Sequence, residues 1–363
     1  MLSLHVIPTL CFLLDAQTAA YQPRFDLDQG RFLKVLADAE ARINKNNSDA
    51  LAWAAKSQAL SALMRLDDAD NAAAQALKLQ PDLPEALVAR SLAKASKAVQ
   101  QRNVGSLFMV SQAMNDLRSA VKNDPDYALA WMTLGLGYQQ LPGALGGSIK
   151  KAMDCVEQLK RIQPARGDLL QAQILSMQGR WLEAEPIFKR ALDAAPGDPE
   201  IVTGYLSELG GKTTGKTLGE ALQKQKLIAE ARRLLPSINA RAKGVEAVSQ
   251  ALLDAGRGEE AWSVLINALP NVEAPSIIKL QLGKVAARTG LHSKDGLAFL
   301  DQAANEPMEG GTGGYASLHW RRGQILKSLG RTVEARSAAQ RALTYDFNHR
   351  GAKELLNDLG RAQ

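Results

Sequence analysis

Residues 179–196 read GRWLEAEPIFKRALDAAP, and four residues within them decide the fold: Ala184, Phe188, Ala191 and Pro196. The first three recur at intervals of four and three, which stacks them on one face of a helix. Gly179 and Arg180 before them suit a left-handed cap on a preceding helix. Pro196 ends the stretch, because proline cannot continue the hydrogen-bond ladder. The same marks return elsewhere. In DALAWAAKSQALSALMRLDDADNAAAQALKLQPD (49–82) they are Trp53, Ala69, Ala76 and Pro81; in YALAWMTLGLGYQQ (127–140) they are Trp131, Leu134, Gly135 and Tyr138.

These residues resemble the tetratricopeptide repeat, a helix–turn–helix unit of about 34 residues with the pattern W-x2-L-G-x2-Y, then A-x3-F-x2-A-x4-P. Each mark has a physical role. Small residues at the eighth position (Gly135, Gly283, Gly323) let the second helix of a pair come close. Alanines at the twentieth (Ala69, Ala113, Ala152, Ala184, Ala261, Ala335) pack against it, and alanines at the twenty-seventh (Ala76, Ala120, Ala191, Ala231, Ala268, Ala303, Ala342) meet the next unit. Prolines 81, 125, 164, 196 and 236 stop the second helices. The anchors place unit starts near Ala50, Pro84, Ala128, Ala165, Pro199, Ala242, Ser276 and Ala316. The resemblance implies an all-α, right-handed superhelical solenoid of antiparallel helix pairs, about eight units over residues 50–347, with first helices lining the concave side.

Some stretches depart from the pattern. The second unit carries about ten extra residues around Gln100–Leu107, so its helices are longer or its turn looser. The third holds the insertion LPGALGGS (Leu141–Ser148), similar to a turn in tetratricopeptide proteins that accompany TRAP-type solute transporters. The fifth has an enlarged turn, GGKTTGKT; the seventh has Gly296 in place of alanine, and the eighth Phe347 in place of proline. Residues 21–49, with an amphipathic helix over Leu27–Asn44, and residues 348–363, with GAKELLNDL at Gly351–Leu359, are expected to cap the two ends.

Ala and Leu are abundant while aromatic residues make up 5% of the chain, a composition that favours helices over sheets. The formal net charge is +6, with signs alternating along the sequence. A nucleic-acid interface needs a dense basic patch interleaved with aromatics, and none is visible. Residues 1–20 resemble a secretory signal peptide: Leu2–Leu14 is mostly apolar and Thr18-Ala19-Ala20 precedes Tyr21, although no Lys or Arg precedes Arg24. A cleaved signal implies a periplasmic or secreted protein; the alternative is cytoplasmic. The apolar run is too short to span a bilayer. Cys11 and Cys155 imply no disulfide framework, and His5, His292, His319 and His349 lack metal-ligand spacing.

No nucleophile elbow, H-E-x-x-H or C-x-x-C is present, so neither a catalytic residue nor a metal or cofactor site is expected. Gly210–Thr217 matches the phosphate-binding loop G-x4-G-K-[ST], with Lys216 and Thr217 in the lysine and hydroxyl places. That loop needs a preceding strand, whereas PEIVTGYLSEL before it has helical spacing; a flexible inter-helix turn is the simpler reading. MEGGTGGYAS (Met308–Ser317) reads as a linker.

In the family, the second, fifth, ninth, twelfth and thirteenth positions tend to face the concave surface. Here they include Gln58, Met132, Leu136, Gln139, Gln140, Gln173, Met177, Glu246, Gln250, Lys284, Arg288, Trp320, Gln324 and Lys327. From Lys279 to Arg361 there are 13 Lys or Arg against 8 Asp or Glu, a surplus of five positive charges that favours an acidic partner segment. The chaperone-binding members carry Lys and Asn at the fifth and ninth positions of the first unit; Ala54 and Gln58 stand there instead. The expected function is a non-catalytic scaffold that binds a protein or peptide segment in the concave groove. The alternatives are a nucleotide-regulated protein using the GGKTTGKT loop and a self-associating structural protein.

Overall fold

A computed structural model describes residues 21, 23–28, 30–101, 104–238, 241–307 and 314–361; the expected signal segment and most of MEGGTGGYAS lie outside them. Among the described residues every regular element is helical. Two helices come first, α1 (Pro23–Asp28) and α2 (Phe32–Lys45). Eight hairpins follow: α3 (Ala50–Ala62) with α4 (Leu66–Leu79), α5 (Pro84–Gln101) with α6 (Val104–Asn123), α7 (Ala128–Gln140) with α8 (Ile149–Ile162), and α9 (Pro164–Met177) with α10 (Trp181–Ala194). The fifth pairs α11 (Pro199–Leu209) with α13 (Glu220–Leu234) through a short α12 (Lys212–Leu218). The last three are α14 (Ala242–Asp254) with α15 (Gly258–Ala268), α16 (Pro275–Thr289) with α17 (Ser293–Ala303), and α18 (Gly314–Ser328) with α19 (Thr332–Tyr345). Helix α20 (Arg350–Arg361) closes the series.

The hairpins form because each helix hides one apolar stripe, and no hairpin alone buries enough of it. Each first helix therefore packs on its own second helix and, except between α5 and α7, on the next first helix, giving one long core through the array and a smaller one where α2 meets the first hairpin and α5. The small-residue positions show why the packing is close. A Cβ at Gly135 would sit 2.7 Å from Leu170 Cδ2 and 3.2 Å from Cys155 Cβ, and one at Gly283 only 2.3 Å from Leu300. At every twentieth-position alanine the side chain is buried. Gly296 in the seventh unit follows the same rule more strictly, since a Cβ there would meet Ala286 Cβ at 2.3 Å. The turns behave as their glycines require, with φ of 77°, 81° and 74° at Gly179, Gly256 and Gly330. In the first hairpin Met64 takes this left-handed place with φ 60°.

Three expectations change in form. The amphipathic helix expected over Leu27–Asn44 is broken at Gly30 (φ 74°), so α1 and α2 run in different directions. The extra residues of the second unit lengthen both helices, to 18 and 20 residues; near their shared tip Val99 and Phe108 are each 67% exposed. The GGKTTGKT stretch is not a flexible turn, because Lys212–Leu218 is the helix α12.

The N-terminal segment reaches past its neighbours. Arg24 Nε donates to Glu85 Oε1 at 3.0 Å and Nη2 to Asp124 Oδ2 at 2.7 Å, and its guanidinium lies 3.9 Å above the Tyr127 ring. These partners sit at the starts of α5 and α7, where α6 and α7, rather than the two first helices, carry the packing. Further along, Leu27, Gly30 and Phe32 line one small cavity with Pro199, Ala242 and Ile277. Lys243 Nζ lies 5.3 Å from the Phe32 ring centre. The α1–α2 corner thus joins the beginning of the array to its sixth unit.

Candidate functional site

The first helices α11, α14, α16 and α18 expose residues from the turns between their packed stripes, and these converge on one cavity of about 370 Å³. Glu246 and Gln250 from α14 and Lys284 from α16 are among the expected groove residues and line it together. Lys243 and Arg321 line it as well and were not among them. One wall is apolar, formed by Leu206, Ala247 and Leu280.

Part of the rim is knitted by ordinary pairs. Arg288 Nη1 reaches Asp254 Oδ1 at 2.6 Å, and Gln250 Nε2 donates to Asp254 Oδ2 at 2.7 Å. Gln281 Nε2 donates to Gln250 Oε1 at 3.1 Å. Inside, the charges are not matched in this way. The Lys284 ammonium has no hydrogen bond or ion pair to any described residue, and the same holds for the Glu246 carboxylate. Burial pulls the Lys284 ammonium below its ordinary range, Glu246 offsetting only part of this. Burial pushes the Glu246 carboxyl up, against the opposing pull of Lys284 and Lys243. Arg321 is lowered to about 10 by burial and then by Arg288. Its guanidinium donates to Gln324 Oε1 at 2.9 Å and lies 3.8 Å from the Trp320 ring centre.

The other expected groove residues are spread over the array. Met132 is buried on α7, while Leu136 and Gln139 are half-buried beside it. The Oε1 atoms of Gln139 and of Gln173 on α9 are buried without a hydrogen-bond partner among the described residues. Gln140 and Met177, at the ends of α7 and α9, are exposed. Gln58 is buried and donates to Glu85 O and Tyr127 Oη, so it serves the packing of the first three units. Trp320 and Lys327 turn toward the closing helix. The Trp320 ring centre is 5.0 Å from that of His349, a Cβ at Gly351 would meet the ring at 2.4 Å, and Lys327 Nζ pairs with Asp358 at 3.1 Å.

A family model described as "Tetratricopeptide repeat" matches residues 316–349, which cover α18, α19 and the turn before α20. That stretch is a tetratricopeptide repeat. No curated protein matches it. Among solved structures, the chain is similar to a thermophilic TPR protein of Thermus thermophilus, at 22% identity over 52% of this chain and 95% of that one, with a TM-score of 0.45. It is similar to a tetratricopeptide repeat protein of Parabacteroides merdae, at 14% identity over 93% of this chain and 95% of that one, TM-score 0.36. A third is the APC/C hetero-tetramer Cut9–Hcn1, at 16% identity over 88% of this chain and 57% of that one, TM-score 0.43.

Two motifs remain. In the third unit, LPGALGGS folds into a tight closed turn. Ser148 N donates to Tyr138 O at 2.7 Å, Ser148 Oγ caps α8, and a Cβ at Gly147 would collide with Leu141 O at 1.7 Å. In the fifth, a helix precedes the phosphate-loop motif where a strand is required. Backbone amides needed to cradle phosphate are used in α12: Gly215 N bonds to Gly211 O at 3.2 Å and Gly219 N to Gly215 O at 2.9 Å. Titration of a fluorescent ATP analogue with magnesium should therefore give the same curve for wild type and Lys216→Ala. Saturable binding lost in the variant would contradict this. No group of three or more potential metal ligands occurs among the described residues, and none of the described helices is long and apolar enough to cross a membrane.

Proposed function

We propose that this chain is a non-catalytic interaction scaffold that holds a segment of a partner protein along its concave face. The observation that carries this reading is the convergence of side chains from four successive first helices on one surface. A segment laid there meets a side chain from each unit in turn, so affinity and specificity accumulate along its length. Toward the middle, Met177 is 51% exposed and offers an adaptable apolar contact. The basic surplus from Lys279 onward favours an acidic segment, mainly through steering, since exposed charges are screened by salt.

The test compares partner capture from a native extract by wild type and by a Gln140→Glu/Met177→Glu double variant. Both residues are exposed, so the fold should tolerate the change. A defined set of proteins held by wild type and lost in the variant is the expected outcome. Identical captured sets from the two would remove the groove as the docking surface. Export to the periplasm or outside the cell belongs to the same proposal, and sequencing the N-terminus of the mature chain decides it: a start at Tyr21 supports export, an intact Met1 opposes it.

A further inference from the structure

The cavity between α11, α14, α16 and α18 holds charges of both signs that do not pair with one another. Glu246 and Lys284 both line it, yet neither makes an ion pair with any described residue. Arg321 reaches Gln324 and Trp320 but no carboxylate among the described residues. All three charged side chains are half-buried, and charges partly withdrawn from water without a partner are costly, so native structures ordinarily neutralise them. The neighbouring Asp254 shows what a satisfied site in this groove looks like, with both carboxylate oxygens occupied by Arg288 and Gln250. Neither Lys284 nor Arg321 is within ion-pair distance of Glu246, and Leu206, Ala247 and Leu280 add apolar surface to the same lining. Lys243, the third cation of the lining, has its Nζ 5.3 Å from the Phe32 ring centre, so a ligand that fits must bring an anion to Lys284 and Arg321, a cation to Glu246, and a short apolar group to the wall. At about 370 Å³ the space is within the range of small-molecule sites and far too small for a folded segment.

We propose that this cavity is a binding site for a small zwitterion, an aliphatic α-amino acid, whose carboxylate lies on Lys284 and Arg321 and whose ammonium lies on Glu246. The ligand replaces lost hydration on three charged side chains at once, and the protein supplies these groups already in place. A purely anionic ligand of the same size leaves Glu246 unmatched. A purely cationic one leaves both basic groups unmatched. The cavity lies on the same convergence of first helices that carries the scaffold reading, so the two readings share a surface and are tested apart.

Calorimetric titration of the full chain with L-alanine, L-valine and L-leucine tests this, alongside the N-acetyl and the amide form of each. At least one free amino acid should bind, with both blocked forms at least tenfold weaker. Glu246→Gln, Lys284→Met and Arg321→Met should each weaken that binding at least tenfold. Lys224→Met, on the far side of the fifth unit, should leave it unchanged. Methionine keeps the aliphatic bulk of the replaced stems, and thermal melts identify any variant that fails to fold. If Arg321→Met is one, Lys284→Met and Glu246→Gln still carry the test. The proposal is overturned if none of the three amino acids binds more tightly than about 10 mM, if the blocked forms bind as well as the free ones, or if folded variants bind like wild type. Amino-acid binding that persists in the Gln140→Glu/Met177→Glu variant, with partner capture unaltered, would sink the scaffold reading alone.

Discussion

Trp181→Ala should destabilise the protein by about 3–5 kcal/mol, the range for removing a large aromatic from a packed interior. Trp181 is fully buried at the first turn of α10. Its ring centre lies 6.1 Å from that of Phe188 and 6.2 Å from that of Tyr205, with Phe188 and Tyr205 themselves 5.6 Å apart. Trp181 and Phe188 belong to the fourth unit and Tyr205 to the fifth, so the cluster is the seam between two halves of the array. In a solenoid, stability is close to a sum of unit terms and nearest-neighbour terms. Weakening a central neighbour term should therefore change the shape of unfolding as well as its midpoint. Chemical denaturation followed by circular dichroism should show an earlier transition that separates into two steps. Trp181→Phe, which keeps much of the apolar contact, should lose less than half as much. A single unshifted transition in Trp181→Ala would show that the seam is held elsewhere.

The second large effect depends on pH. His319 is 8% exposed, stacks on Tyr345 with ring centres 5.6 Å apart, and faces the field of Arg341 and Arg322. Burial first, and then these arginines, lower its pKa to about 4, with Asp301 opposing only weakly. The folded state thus keeps His319 neutral where the unfolded chain, with an ordinary value near 6.5, takes up a proton. The contribution is fully present above pH 6.5 and is lost as pH falls toward 4. At about 1.4 kcal/mol per unit, the difference amounts to roughly 3 kcal/mol. The wild-type stability minus that of His319→Phe, measured by denaturation at steps from pH 7 to 4, should fall by this amount. Taking the difference removes the contribution of His349, whose pKa burial also lowers, and of the carboxylates. A difference that stays flat over this range would mean that His319 is protonated in the native protein.

The repeat phase was legible because its marks are local. A small residue where two helices touch and a glycine where the chain must turn left-handed act over a few residues, so spacing alone locates them. The hairpin starts at Ala50, Pro84, Ala128, Pro199 and Ala242 fall where the spacing put them. What spacing could not give was the rotation of each helix about its axis. In α18 the packing of Trp320 against Gly351 and His349 turns the fifth position toward α20, which brings Arg321, one residue later, into the cavity. The consensus positions consequently included the tryptophan and passed over the arginine. Lys243 stands at the second position of the unit that starts at Ala242, so its place in the lining follows the repeat rule. The contacts of Arg24 and Phe32 lie outside any repeat rule, since they join places far apart in sequence.

Those last contacts change how the array responds to strain. A stack of hairpins joined only to neighbours is an open spring: it frays from its ends and stretches or bends with little resistance. The corner at Gly30 acts as a clasp across that spring, from Glu85 and Asp124 on one side to Ala242 and Lys243 on the other. Phe32 and Lys243 are separated by about 210 residues, but closing so long a loop is not prohibitive, because each doubling of length adds only about 0.6 kcal/mol. With the clasp shut, the curvature of the three intervening units is fixed from both ends. Opening the concave face to admit something larger then requires the clasp to yield first.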